Sequence, residues 1–394
     1  MNRFLTSVIA LVALTTGIQA QDGMEAASLA IAQSTHYEVR SELGSDDAVA
    51  LARELDLRFD IYNELFHFDP SLLSGKLKVR AFKDEAMFDA YLLTALGDTR
   101  DGASYLHYSR PERSELLLVR DSKPVSIRAF SHQAFIQFLR AFVPNPPAWM
   151  REGFAIFFEP LLFDPRIDDF LFEENLAWLE TVKAWGPDAP GIDRILLSDE
   201  DPTLGTERRN PASWALVSFI LNSSDEVYRR FLYESILLLD SASSASENGL
   251  TIAERGAAWI DASRANADYA DYLSSRKTFA ELVEAGRSAY AAKDPQTAER
   301  AFYAAEELKP GHYAPYYYLG LLAYERKDYA LAENHYKSAL QNGADAALVN
   351  YALGVNAAAD ARNADALKFL EQAKNASPER YSVKADELIA RLQK

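Results

Sequence analysis

The residues with chemistry to offer gather between positions 131 and 159, in SHQAFIQFLRAFVPNPPAWMREGFAIFFE. His132 brings an imidazole, and Glu152 and Glu159 bring carboxylates, all donor types that hold zinc. A helix that activates water on zinc needs two imidazoles four residues apart, so that both reach one metal. It also needs a carboxylate beside the first to take the proton of the metal-bound water. Here those two further positions hold Ile136 and Gln133. An amide oxygen is too weakly basic to be a general base, and Ile has no lone pair to give. His132 and Glu152 alone fall short of the three protein ligands of a stable zinc site. His132 therefore reads as a satisfied histidine of the core or of a cleft, and Glu152 as a cap or ion-pair member with Arg151 and Arg140 within reach along the chain. No catalytic residue and no cofactor are expected. Any metal would rest on His132 and Glu152; of the other histidines of this part of the chain, His36, His67 and His107, the last lies in the predicted strand pair.

The elements that must position these groups follow from hydrophobic spacing. Phe135, Leu139 and Phe142 recur at helical intervals after His132, which predicts a helix opening near His132 and ending before PNPP. A second helix begins after those prolines, near AWMREGFAIFFE. Upstream, THYEVRSEL and KLKVRAF read as strands, while DDAVALARELDLRFDIYNELF and DEAMFDAYLLTAL read as helices. ASYLHYS and SELLLVR form a predicted strand pair around RPER. From about 165 the pattern is mainly helical, with loops at GPDAPG and DSASSASENG. GSDD and DEDP lack the spacing of a calcium loop and suit helix starts or turns. No nucleophile elbow, phosphate loop or dinucleotide fingerprint occurs.

This layout resembles the gluzincin-type metallopeptidases, and more closely their peptidase-MA-like relatives, which often occur in exported proteins with helical repeats. In that family a strand-helix-strand-helix-hairpin portion precedes HExxH, and a W..EG.A..FE segment follows it. WMREGFAIFFE supplies that segment in full, which by resemblance puts Glu152 at the third-ligand position. ASWALVSFIL, around Trp214, resembles the helix that backs the family's site. His132 matches the first ligand, whereas Gln133 stands for the catalytic Glu and Ile136 for the second His. His132, Gln133, Ile136 and Glu152 are thus vestigial positions of a degenerate motif.

A second pattern occupies the C-terminal end. Gly286, Gly320 and Gly354 lie 34 residues apart, as do Ala298, Ala332 and Ala366, then Ala305, Ala339 and Ala373, and the bulky series Phe302, Tyr336 and Leu370. Pro310, Ala344 and Pro378 close the units at one phase. The small residues would let paired helices approach closely, and the bulky one would fill the gap between them. This is similar to the tetratricopeptide repeat, a helix, turn and helix per unit. The resemblance implies a concave groove lined by the first helix of each unit, with Arg287, Tyr290, Tyr317, Tyr324 and Tyr351 on it. Tyrosines suit a peptide surface, having large contact area and a polar tip, although such rings also pack between repeats.

The expected fold is α+β, a gluzincin-like domain with a small N-terminal sheet plus helices, followed by an all-α tetratricopeptide-repeat solenoid. Its parts are a signal peptide at 1–20, the degenerate peptidase-like domain at 21–277, three repeats at 278–378 and a capping helix at 379–394. The signal is read from Arg3, the apolar run FLTSVIALVALTTG and IQA before Gln21. Export to a periplasm or to the exterior follows from it. No other stretch is apolar and long enough to span a membrane, so no stable span is expected after cleavage. The net charge of -17 argues against nucleic acid as a partner. With no cysteine, disulfides and thiol catalysis are excluded. The function expected is a non-catalytic interaction protein, a pseudopeptidase that binds a protein or peptide partner through the repeat groove. The alternatives are a zinc metallopeptidase with a rearranged site, or a cleft that holds peptide or glycan without cutting it.

Overall fold

The computed structural model describes residues 29–393, apart from Ser122, Ala257 and Trp259, so the signal-type segment at 1–20 lies outside the described residues. The chain divides into two compact units, one ending at Ser275 and one running from Arg276 to Lys394.

The first unit opens with β1 (Ala30–Gln33) and β2 (Tyr37–Ser41), then α1 (Ser45–Phe66), β3 (Leu77–Phe82), α2 (Glu85–Leu96), β4 (Ala103–Leu106) and β5 (Glu115–Val119). These strands form one sheet in the order β1-β2-β3-β5-β4. β2, β3 and β5 are parallel at its centre, and β1 and β4 pair antiparallel at its edges. Alternation along the strands divides the two faces. Val39, Val79, Ala81, Leu116 and Leu118 pack toward α1 and the long helix α3 (Pro124–Phe142), whereas Leu117, Val119 and Phe82 pack with Phe88 and Leu92 of α2. Each strand and helix expected before residue 120 is present. β1 was not anticipated, and neither was the true start of α3. The helix opens at Pro124, whose missing N–H costs nothing at a first turn, so His132 lies in its middle and does not open it.

After α3 and the PNPP break comes α4 (Ala148–Phe158), with Pro147 just before it. The expected helical run from 165 is interrupted by a hairpin, β6 (Leu162–Asp164) and β7 (Asp169–Leu171). Its turn is made by DPRID, where Asp164 accepts from the backbone N–H of Arg166 at 2.9 Å and Asp168 takes a positive φ of 56°. Helices then follow as α5 (Ala177–Ala184), α6 (Ile192–Leu196), α7 (Thr206–Asn222), α8 (Glu226–Leu237), α9 (Ala245–Gly256) and α10 (Ala262–Ser275). The loop read at DSASSASENG ends early, because α9 already begins at Ala245. α7 is buried continuously from Pro211 to Ile220 and is the core around which α4, α5, α6, α8 and α10 pack.

The second unit is seven helices: α11 (Phe279–Ala291), α12 (Pro295–Leu308), α13 (Tyr313–Glu325), α14 (Tyr329–Gln341), α15 (Ala346–Ala359), α16 (Asn363–Ala376) and α17 (Pro378–Leu392). The first six form three helical hairpins in phase with the 34-residue period. The expected packing is visible atom by atom. A Cβ at Gly286, Gly320 or Gly354 would lie 2.6, 2.5 or 2.7 Å from Phe302, Tyr336 or Leu370, and the six repeated alanines are fully buried. Helices of a pair therefore touch backbone to bulky side chain, which only glycine permits. α17 continues the stack with Tyr381 and Ala385 buried. Among the described residues, no helix is long and apolar enough to cross a membrane.

Candidate functional site

α3 carries His132, Gln133, Ile136, Gln137 and Arg140, and its neighbours fix what each can do. Ile136 is buried in the main core of the unit. Gln133 Oε1 accepts from the backbone N–H of Tyr105 at 3.0 Å, and Gln137 Nε2 donates to the carbonyl of Lys78 at 2.9 Å. β4 is an edge strand, so Gln133 satisfies a backbone donor that no further strand would reach. The side chain of Gln133 is thus part of the frame.

α4 delivers the carboxylates. Gly153 sits where a Cβ would lie 2.5 Å from the carbonyl oxygen of Ser213, so α4 and α7 meet at backbone distance. That contact explains the Glu-Gly pair in packing terms and fixes the rotation of α4 that brings Glu152 to His132. Glu152 Oε2 lies 3.5 Å from His132 Nε2, and Glu159 Oε1 lies 2.9 Å from His132 Nδ1. Arg151 Nε donates to Glu152 Oε1 at 2.7 Å. The three side chains of the His132 group are largely buried, at 15% exposure for the imidazole and 16% and 20% for the carboxylates.

An imidazole with a carboxylate at each nitrogen needs a proton on both. Burial pulls the pKa of His132 down, but the bonds and charges of Glu152 and Glu159 outweigh it and raise it from 6.5 to about 9. Burial would lift Glu152, and the hydrogen bond to His132 with the charge of Arg151 overrides it, lowering it from 4.5 to about 2. The group is an imidazolium between two carboxylates, with Arg151 completing the charge balance.

Zinc does not fit this donor set. The two nitrogens of one ring point to opposite sides, so Glu152 and Glu159 cannot converge with His132 on one ion. The position one helical turn on is Ile136, packed in the core. Among the described residues no group of three or more His, Asp or Glu side chains is arranged to hold a metal. His107 stands at the end of β4, its ring 5.8 Å from that of Tyr105, and its Nδ1 is buried without a partner. Burial and the nearby Arg140 lower its pKa. Burial, with Arg151 close by, lowers that of Arg140 in turn. Arg151, not Arg140, makes the hydrogen bond to Glu152.

In the second unit Tyr290 donates to Glu325 Oε1 at 2.6 Å, and the exposed Arg287 pairs with Glu284 at 3.2 Å. Tyr317, Tyr324 and Tyr351 are half-buried. Tyr317 lies 6.0 Å from the ring of Tyr336, Tyr324 lies 6.0 Å from Tyr329, and Tyr351 lies 5.1 Å from Tyr381. Each ring has one side in the stack and one outside it.

Sequence reasoning missed two features. Glu159 was visible only as the end of a motif, yet it holds His132 more closely than Glu152 does. Arg58, 1% exposed, was not singled out from the sequence. Its signal was present, because Arg58 falls on the apolar stripe formed by Leu51, Leu55, Phe59 and Tyr62, four residues after Glu54.

No family model matches the chain, and no curated protein matches it. It is similar to solved structures titled "MamA RS-1 ArsTM double mutant" and "MamA 41-end from Desulfovibrio magneticus RS-1", at 16% identity and a TM-score of 0.26 for each. The matches cover 43% of this chain and 97% and 96% of those chains. A likeness at that score says nothing about what the chain binds.

Proposed function

We propose that the chain is an exported, non-catalytic interaction protein. In this reading it is a relative of the gluzincin-type, peptidase-MA-like metallopeptidases that has lost zinc chemistry, and it binds a protein or peptide partner in the groove of its repeats. The observation that carries the first half is the state of His132. Both its nitrogens are taken by carboxylates, at 2.9 and 3.5 Å, and the side chains that should supply base and second ligand serve the strand edge and the core. The signal-type N-terminus supports export. Half-exposed tyrosines at repeating positions, with the exposed Arg287 beside them, support recognition of an extended peptide with aromatic or apolar side chains.

The test is selection of binders from a displayed peptide library on the full chain. Selected peptides should lose about tenfold or more in affinity with Tyr324→Ala or Tyr351→Ala, and should be recovered uncut after prolonged incubation. Cleavage abolished by a chelator would overturn the non-catalytic reading. Selected peptides indifferent to every groove substitution would overturn the groove.

A further inference from the structure

A cavity of about 430 Å³ lies at the carboxyl ends of β2 and β5 and belongs to none of the groups above. Its place follows from the topology. α1 leaves β2 and α3 leaves β5 to cover one face of the sheet, whereas α2 leaves β3 for the other. The cavity lies on the first of these faces, between α1 and α3 where they leave the strand ends. The hairpin β6–β7 closes one side. Leu162 and Phe163 line the cavity, the carbonyl of Leu161 accepts from Arg58 Nη2 at 3.1 Å and from Ser131 Oγ at 3.3 Å, and the pair Arg53–Asp168 fastens the turn to α1.

The lining has an apolar and a charged part. Three carboxylates, Asp47, Glu54 and Asp121, face two guanidiniums, Arg58 and Arg120. Both guanidiniums are engaged. Arg58 bonds Glu54 Oε1, Ser131 and Leu161 and lies between the rings of Phe130 and Phe170, at 4.9 and 4.8 Å. Arg120 Nε bonds Asp47 Oδ1 at 2.9 Å. Glu54 is 8% exposed, and both of its hydrogen bonds arrive at Oε1. Its Oε2 has only the Arg120 guanidinium, at 3.8 Å. That oxygen of a largely buried side chain faces the cavity with no hydrogen-bond donor of the protein among the described residues, open to a donor from within it. Asp121 has Lys123 at 3.5 Å, so the wall holds no uncompensated cation to draw an anion, and the engaged guanidiniums leave little for the carboxylate of a zwitterion. Leu43, Ile127 and Phe163 offer apolar surface opposite.

We propose that this cavity binds a small organic ammonium ion with an apolar body, its N–H groups on Glu54 and its carbon body against Leu43, Ile127 and Phe163. The experiment is calorimetric titration of the full chain at low salt with butylammonium and with phenethylammonium, beside phenylacetate and phenylalanine. One saturable site for at least one amine is expected. Binding should weaken about tenfold or more in Glu54→Gln, which removes the charge, and in Leu43→Trp, which blocks the mouth. Leu43 is 42% exposed, so that second variant decides the matter if Glu54→Gln does not fold. Absence of saturable binding by either amine would overturn the proposal. So would amine binding that a folded variant leaves unchanged, or binding of phenylacetate or phenylalanine as tight as that of the amines.

Discussion

Replacing His132 by Gln removes the titrating member of the charge group while keeping a polar side chain between Glu152 and Glu159. Raising an imidazole from 6.5 to about 9, at about 1.4 kcal/mol per tenfold gain in proton affinity, corresponds to about 3 kcal/mol of folding stability. The displacement of Glu152 to about 2 is the same interaction seen from its partner, so the two are not added. The sign is fixed by the directions. A raised histidine stabilises fully below its unfolded value near 6.5, and the contribution drains away as pH climbs to about 9. A lowered carboxylate stabilises above 4.5, and its contribution is lost as pH falls toward 2. The contribution is therefore greatest between pH 4.5 and 6.5. Urea unfolding followed by tryptophan fluorescence isolates the right unit, because all five tryptophans lie between residues 149 and 259. The stability difference between wild type and His132→Gln should shrink by about 3 kcal/mol between pH 6 and pH 9.5. A difference that stays flat with pH would refute the imidazolium assignment.

Two further outcomes follow from packing and hydrogen bonding. Gly320→Val pushes a side chain into Tyr336, where even a Cβ would sit at 2.5 Å, and should cost about 1–3 kcal/mol; Gly311→Ala, at a position with open space around it, should be tolerated, and thermal melting by circular dichroism separates the two. Gln133→Ala leaves the edge N–H of Tyr105 without its acceptor and should destabilise the first unit by about 1 kcal/mol, read by urea unfolding. Gln133→Glu, whose carboxylate also accepts that bond, should cost less and should create no hydrolysis of peptides.

The repeat array was legible because its packing rule is written in residue size. Gly320 against Tyr336 recurs at a fixed period, and each occurrence reports the same contact. The early strands and helices were legible from alternation and helical spacing, as in the burial alternation of Tyr37, Val39 and Ser41 along β2. The candidate site was legible only in part. His132 and Glu152 stood out by type, but the closer partner, Glu159, sits just past the end of α4, and its approach depends on how Gly153 seats that helix on α7. The cavity was not legible. Only Arg58 carried a signal, its place on the apolar stripe of α1; Asp47, Glu54 and Arg120 carried none, and the rings and hairpin that bury the group come from residues 130 to 170. The hairpin itself was hidden because its two strands have three residues each, too short for alternation to register.

The central claim is that His132 is an ion-paired imidazolium and not a zinc ligand. Its most direct test is the zinc retained per chain after the purified protein is equilibrated with zinc at neutral pH and passed over a desalting column, measured by mass spectrometry of the metal beside a His132→Ala control. The account predicts substoichiometric zinc, equal in the two proteins. One zinc per chain in the wild type, lost in His132→Ala, would contradict it.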